Sequence, residues 1–204
     1  MKKTSLSGKF LVIEGLDGSG KSTQIKLLGQ ELKKKGLDYF LTREHTREGP
    51  AGSLIERVVN YQEKLNPIAL QLLFVVDRLD HLEREIKPGL EKGKLVVSDR
   101  YYWTTVAYGS RVANKNWLIK VNKYCLEPDL TIYIDVSPEE AIRRTQERGE
   151  QTIFEKLAQM KDFKKTYYWL LEKFPDRSVR VDGERLPEEI TKDIIKVLEK
   201  RSLV

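Results

Sequence analysis

Apolar residues in this chain fall into two arrangements, short unbroken runs and longer stretches that repeat every three or four positions. Lys9–Glu14 (KFLVIE) is of the first kind and predicts a strand buried on both faces, with a helix beginning near Lys21 behind it. Along that helix Ile25, Leu28 and Leu32 share one side, and Gly36 is a natural stop. Tyr39–Thr42 predicts a second strand. Asn66 and Pro67 supply an N-cap and a first-turn proline for a long helix running through Leu70, Phe74 and Asp77 towards Ile86. Leu95–Asp99 and Leu130–Asp135 predict further buried strands, each ending in aspartate. After the second, Ser137-Pro138-Glu139-Glu140 predicts a capping box at a helix start. Ser178–Val181 is the last predicted strand, and Leu186–Leu198 an amphipathic helix bearing Ile190, Ile194 and Val197. Five strands interleaved with helices predict an α/β fold, a five-stranded parallel sheet covered on both faces. Ligands in such folds bind beyond the carboxyl ends of the strands.

Composition narrows the class without naming it. At 204 residues, 40% hydrophobic and 33% charged, the chain reads as one globular unit over 1–204. Its formal charge of +6, from 37 basic and 31 acidic side chains, suits phosphorylated ligands as well as it suits a polyanion. No basic block is interleaved with aromatics, so nucleic acid is not an expected partner. The lone Cys125 allows no internal disulfide and reads as a buried small hydrophobe. The first apolar run, Phe10–Ile13, is too short for a signal-peptide core, and no run approaches a membrane span. The expectation is a cytoplasmic protein with no membrane partner.

Gly15-Leu16-Asp17-Gly18-Ser19-Gly20-Lys21-Ser22, followed by Thr23, satisfies G-x-x-x-x-G-K-[ST] between a predicted strand and a predicted helix. Glycines let the backbone wrap closely enough for successive N–H groups to face phosphates, and the helix adds its positive end. Lys21 is placed to span the β- and γ-phosphates of ATP, and the Ser22 hydroxyl to ligate Mg2+. Such an enzyme also needs a strand-end carboxylate to order the metal. Asp99 and Asp135 both qualify on pattern. Asp99, followed by Arg100 and Tyr101, is favoured, because Asp135 runs straight into the capping sequence.

Beyond the cradle, the chain resembles the thymidylate kinase family within the nucleoside monophosphate kinases. The likeness covers nearly its whole length: FLVIEGLDGSGKSTQ near the start, TRE at Thr42–Glu44, LLFVVDR at Leu72–Arg78, SDRYYWTTVAY at Ser98–Tyr108, and PDLTIYIDVSPEEAIRR at Pro128–Arg144. The resemblance implies transfer of the γ-phosphoryl group of ATP to dTMP, with Mg2+, in a homodimer. It implies that Arg43 and Arg100 grip the acceptor phosphate, where bidentate donors outperform lysine. Phe74 would stack on thymine, Arg78 donate to a thymine carbonyl, and Thr105 offer a hydroxyl to the base edge. Tyr108 would pack under the sugar and Asp17 accept from its 3′-hydroxyl. The apolar surplus on the helix from Leu70 to Ile86 is the expected dimer contact.

A mobile cation beyond Lys21 is expected on the migrating phosphoryl group. Since position 18 is glycine, the resemblance implies that a lid around 143–152 supplies it, from Arg144 or, preferably, Arg148, with Arg143 against adenine. Three features depart from the family pattern. His45 stands where proline commonly follows TRE, so the loop that aims Arg43 has freedom to differ. Gly109 replaces a common glutamine and removes a polar contact, and the lid is otherwise poor in arginine. His81, four residues after Asp77, reads as helix surface. Two other readings remain open at this stage: a kinase of the same architecture for dUMP, another monophosphate or a deoxynucleoside, and a nucleotide-binding regulator that transfers nothing.

Overall fold

The computed structural model describes residues 6–147 and 157–204. Five strands form one parallel sheet in the order β2-β3-β1-β4-β5: β1 (Lys9–Gly15), β2 (Tyr39–Arg43), β3 (Leu95–Asp99), β4 (Leu130–Asp135) and β5 (Ser178–Asp182). β1 lies in the middle, paired with β3 from Lys9↔Leu95 to Ile13↔Asp99 and with β4 from Leu11↔Leu130 to Gly15↔Ile134. The unbroken apolar runs are explained by this placement, because side chains alternate between two covered faces. Phe10 and Val12 enter one core with Val96 and Tyr133, whereas Leu11 and Ile13 enter the other with Val97, Ile132 and Ile134.

The second of these cores is closed by α1 (Lys21–Lys34) and α9 (Pro187–Lys200), through Ile25, Leu28 and Leu32 against Ile190, Ile194 and Leu198. Gly36 ends the first helix as expected, with φ +69° and the Leu37 N–H returning to the Leu32 carbonyl at 3.0 Å. The first core is closed by α5 (Tyr102–Gly109) and α8 (Leu157–Lys173), which contribute Trp103, Val106, Phe163, Tyr167 and Leu170. Beside it stand α2 (Gly49–Val59), α6 (Lys115–Val121) and α7 (Pro138–Glu147). Cys125 is buried in that core, and burial pushes its thiol up to about 11.

The helix expected from Asn66 is present as α3 (Pro67–His81), and the Asn66 side chain accepts from Ile68 N–H at 2.9 Å and Ala69 N–H at 3.3 Å. It does not stop at Ile86. The ladder widens into a π turn over Leu82–Ile86 and continues as α4 (Lys87–Glu91). Pro88 follows the wide turn directly, and its ring and missing N–H bar an ordinary bond to the Arg84 carbonyl. The capping box at α7 is half formed. Ser137 Oγ accepts from Glu140 N–H at 3.3 Å, but the Glu140 carboxylate is taken by Arg143 and Arg144, and Glu184 accepts from Ser137 N–H instead. Among the described residues no helix is long and apolar enough to cross a membrane.

Candidate active site

β1 ends at Gly15, and the chain turns back into α1 within five residues. The turn uses left-handed backbone at Gly18 (φ +82°) and Gly20 (φ +90°), where a side chain is strained, and a Cβ at Gly18 would also strike the Ala141 carbonyl. Gly20 has no capping side chain, and Lys21–Gln24 include no carboxylate. The first N–H groups of α1 therefore face outward with their dipole uncompensated, which favours an anion. Leu16 is sealed in the core beneath the turn, Ser19 is buried against Gly15, and Ser22 and Thr23 are exposed at the helix start. Lys21 Nζ donates to the carbonyls of Gly15 (3.1 Å) and Leu16 (2.8 Å), folding back over the loop. Burial and the neighbouring Arg100 lower its pKa to about 8, against the opposing pull of Asp99, Asp17 and Glu14.

β3 delivers the next groups beside the loop. Ser22 Oγ donates to Asp99 Oδ2 at 3.0 Å, and Asp99 Oδ1 is buried with no hydrogen-bond partner among the described residues. Asp135 lies elsewhere, held by Lys164 (2.8 Å) and the Tyr168 hydroxyl (2.8 Å). After Asp99 the backbone turns through a left-handed Arg100 (φ +71°), a conformation that costs a non-glycine residue about 1 kcal/mol or more. Glu14, the one carboxylate in β1, holds that turn. It accepts from the N–H groups of Tyr101 (2.9 Å) and Thr104 (3.1 Å) and from the Thr104 hydroxyl (2.6 Å). Burial dominates these bonds and raises its pKa. Arg100 is aimed by the result, donating to the Gly15 carbonyl (3.2 Å), to Thr104 Oγ1 (3.0 Å) and to Asp17.

All seven side chains expected at the acceptor, Asp17, Arg43, Phe74, Arg78, Arg100, Thr105 and Tyr108, line one cavity of about 450 Å³. Tyr108 stacks on Phe163 with ring centroids 4.2 Å apart and donates its hydroxyl to Asp17 Oδ2 at 2.9 Å. Burial works to raise the Asp17 carboxyl, but Arg100, Lys21 and Tyr108 outweigh it and hold the pKa down. Arg78 is 2% exposed and held on three sides, by Glu44 at Nε (2.6 Å), Asn122 at Nη1 (2.6 Å) and Thr105 at Nη2 (3.0 Å). A guanidinium with this many partners is fixed in direction, and Glu44 keeps it charged despite burial.

Comparison with known proteins agrees with this geometry. The thymidylate kinase family profile matches residues 13–194. A probable thymidylate kinase of Thermococcus onnurineus is 40% identical over 200 residues, covering 93% of this chain and 97% of that protein. Probable thymidylate kinases of Pyrococcus horikoshii and Methanosarcina acetivorans are 38% and 35% identical, each over 93% of this chain and 95% of the relative. The chain belongs to the thymidylate kinase family.

Two of the arginines expected in a lid are described in this thymidylate kinase family member, and their surroundings differ. Arg143 is exposed and bonded to Glu140 and Glu147 on its own helix. Arg144 lies over the cradle, with Nη1 3.8 Å from where a Cβ at Gly20 would sit, and donates to Glu140 (2.6 Å) and the Gly183 carbonyl (3.1 Å). Arg148 lies outside the described residues, as does most of the expected lid. His45 follows Glu44 through a cis peptide bond and stands edge-on to Phe74 at 5.7 Å, while Arg43 still lines the cavity.

One sequence expectation is corrected and another is extended. Gly109 brings no polar side chain of its own, but Gln71 of α3, 7% exposed and lining the cavity, packs its Oε1 2.5 Å from where a Gly109 Cβ would sit. His81 is not surface but 1% exposed, because the charged residues around it turn inward to bond one another. Sequence reasoning also passed over Glu14 and Glu44. A carboxylate inside a strand buried on both faces was the available signal for the first, and the acid of TRE for the second.

Proposed function

We propose that this chain is a dTMP kinase that carries the γ-phosphoryl group of ATP directly onto the acceptor phosphate at the carboxyl ends of β1 and β3. The single observation that carries the reading is that Asp17 belongs to both halves of the site. It lies inside the Gly15–Ser22 cradle and also lines the cavity of Arg43, Phe74 and Arg78. Donor and acceptor phosphates bound in these places abut, as in-line transfer requires.

The cradle amides and Lys21 bind the ATP phosphates, while Arg43 and Arg100 hold the dTMP phosphate from the opposite side. Arg100 is set before substrate arrives, so no reorganisation is needed as charge moves to the transferring group. Phe74 stacks on thymine, with the donors of Arg78 at one edge and the Thr105 hydroxyl beside them. Tyr108, locked by Phe163 and Asp17, forms the wall under the sugar and disfavours a ribose 2′-hydroxyl; Asp17 takes the 3′-hydroxyl. Arg144 reaches the cradle from α7 and Arg148 is the second lid arginine, so stabilisation of the migrating group falls to this pair.

The residues also fit a magnesium ion carried by the nucleotide. Asp99 Oδ1 is a buried, unpartnered acceptor among the described residues, and the Ser22 hydroxyl sits 3.0 Å from its other oxygen. Magnesium held by Ser22 and Asp99 would neutralise charge on the β- and γ-phosphate oxygens. The chain works as a homodimer through α3, whose Leu72 and Val76 are 42% and 55% exposed although apolar. The protein is cytoplasmic, where ATP and dTMP are available.

An ADP-release assay across dTMP, dUMP, CMP and AMP tests the reading. Turnover should be greatest with dTMP and fall by about two orders of magnitude or more with CMP and AMP, whose bases mispair with Arg78. Equal turnover on all four acceptors overturns it.

A further inference from the structure

Phosphoryl transfer makes no demand for a histidine, yet His81 is sealed beneath the acceptor cavity with both ring nitrogens engaged. It is the last residue of α3, just before the π turn, and its side chain is 0% exposed. Thr42 and Glu44 flank Arg43, and both reach α3, while Arg43 and Glu44 line the cavity. His81 meets each of the two, with Nε2 2.7 Å from Thr42 Oγ1 and Nδ1 3.4 Å from Glu44 Oε1.

The acceptors around the ring favour its doubly protonated form. Thr42 Oγ1 donates to Glu85 Oε2 at 3.0 Å, and Nε2 has that same carboxylate oxygen at 3.3 Å, so hydrogen on Nε2 is the arrangement that satisfies all three groups. Glu44 Oε2 receives Arg78 Nε–H at 2.6 Å, and a carboxylate paired with a guanidinium only accepts. Nδ1 must carry hydrogen as well. A ring with two N–H donors is an imidazolium. The charged groups that face it are Glu44 from the turn after β2, Glu85 from the π turn, and Asp77 and Arg78 from α3. Burial opposes its charge, but the carboxylates prevail and raise its pKa from the ordinary imidazole value. Asp77 is itself anchored by the N–H (2.8 Å) and hydroxyl of Thr46, which extends the clamp to the far side of His45.

We propose that His81, held as an imidazolium, is a positioning residue for the acceptor: it fixes both neighbours of Arg43 and, through Glu44, the direction of Arg78. The inference rests on the dTMP kinase reading and deepens it, since one ring then ties the arginine for the phosphate to the arginine for the base. Loss of either N–H loosens both ends of the acceptor site together. Among the described residues the cluster reaches the nucleotide side only through the Glu44 backbone N–H on the Asp99 carbonyl at 3.0 Å, a main-chain bond that a change at the His81 ring leaves in place, so nucleotide binding stays unaffected.

The chain has two histidines, which makes ring-nitrogen NMR of histidine-labelled protein a direct test. At pH 7, one ring should show two protonated nitrogens, and that signal should vanish in His81→Gln. A neutral His81 ring at pH 7 overturns the proposal. Kinetically, His81→Gln should raise the dTMP KM about tenfold or more and leave the ATP KM within about twofold. It should also lose the alkaline fall in kcat/KM for dTMP that the wild type shows as His81 deprotonates. Thr42→Val, which keeps its shape and removes one acceptor, should move the dTMP KM in the same direction even if His81→Gln folds poorly. Equal losses for both substrates, or an alkaline limb that survives in His81→Gln, overturn the positioning role. Wild-type protein idle on dTMP would sink the kinase reading along with it, whereas an active wild type with unmoved variants sinks the positioning role alone.

Discussion

Lys21 shows how a functional residue carries the strain of its site. Its ammonium is buried beside Arg100, and its pKa of about 8 means that the bare loop holds that charge reluctantly. A triphosphate arriving over the cradle stabilises the charge and raises the pKa again. Nucleotide binding near pH 8 is therefore expected to take up protons, and affinity to fall as pH rises through that region. Calorimetry in buffers of differing ionisation enthalpy reads this directly; proton release, or no buffer dependence, contradicts it. Lys21→Ala should lower turnover by about two orders of magnitude or more, by removing a cation aimed at developing charge. Gly109 illustrates the reverse case, a residue that matters for what it admits. Gly109→Ala would place a methyl group 2.5 Å from Gln71 Oε1 and turn that flexible carboxamide out of the cavity. The expected result is a several-fold rise in dTMP KM at a stability loss of about 1 kcal/mol, with ATP KM unchanged. An unaltered acceptor KM would show that Gln71 is only wall.

Among the elements, α3 brings Phe74 and Arg78 to the proposed acceptor cavity and depends on a cap to begin it. Asn66→Ala should cost about 1 kcal/mol by denaturant unfolding while leaving kcat within about twofold, because Phe74 and Arg78 lie two or more turns further on. The strands and their order along the chain were legible because residues buried on both faces leave continuous apolar runs, and the cradle because its chemistry is contiguous. The same was true of the acid and guanidinium at Asp99-Arg100. What α3 does against β2 was not legible. Asp77, Arg78, His81 and Glu85 have the spacing and polarity of a solvated helix face, and only the packing of that face onto Thr42 and Glu44 buries the first three and leaves Glu85 at the rim. The Gln71–Gly109 contact was hidden for the same reason, since it joins two helices whose relative depth no local pattern encodes.

For the molecule as a whole, the sheet order β2-β3-β1-β4-β5 puts the cradle that follows β1 between the ends of β3 and β4. The β2 and β3 ends give Arg43, Asp99 and Arg100 on one side of β1; β4 and α7 bring Arg144 from the other. The remaining exposed apolar surface on α3 faces away from this assembly. Val76→Glu, alone or with Leu72→Glu, should shift the sedimenting species at micromolar concentration from dimer to monomer, because a carboxylate in such a contact is desolvated without a partner. A wild type that sediments as a monomer would remove the proposed partner surface altogether.

The close seating of Gly18 against the first turn of α7 has an engineering consequence. With the Ala141 carbonyl filling the space a side chain would need, the loop and the root of the lid behave as one moulded joint. Grafting a cation there, as Gly18→Arg, would prise the joint apart instead of adding a helper to the reaction. Such a variant should unfold at lower temperature and turn over more slowly, leaving delivery of that charge to the far side of the nucleotide.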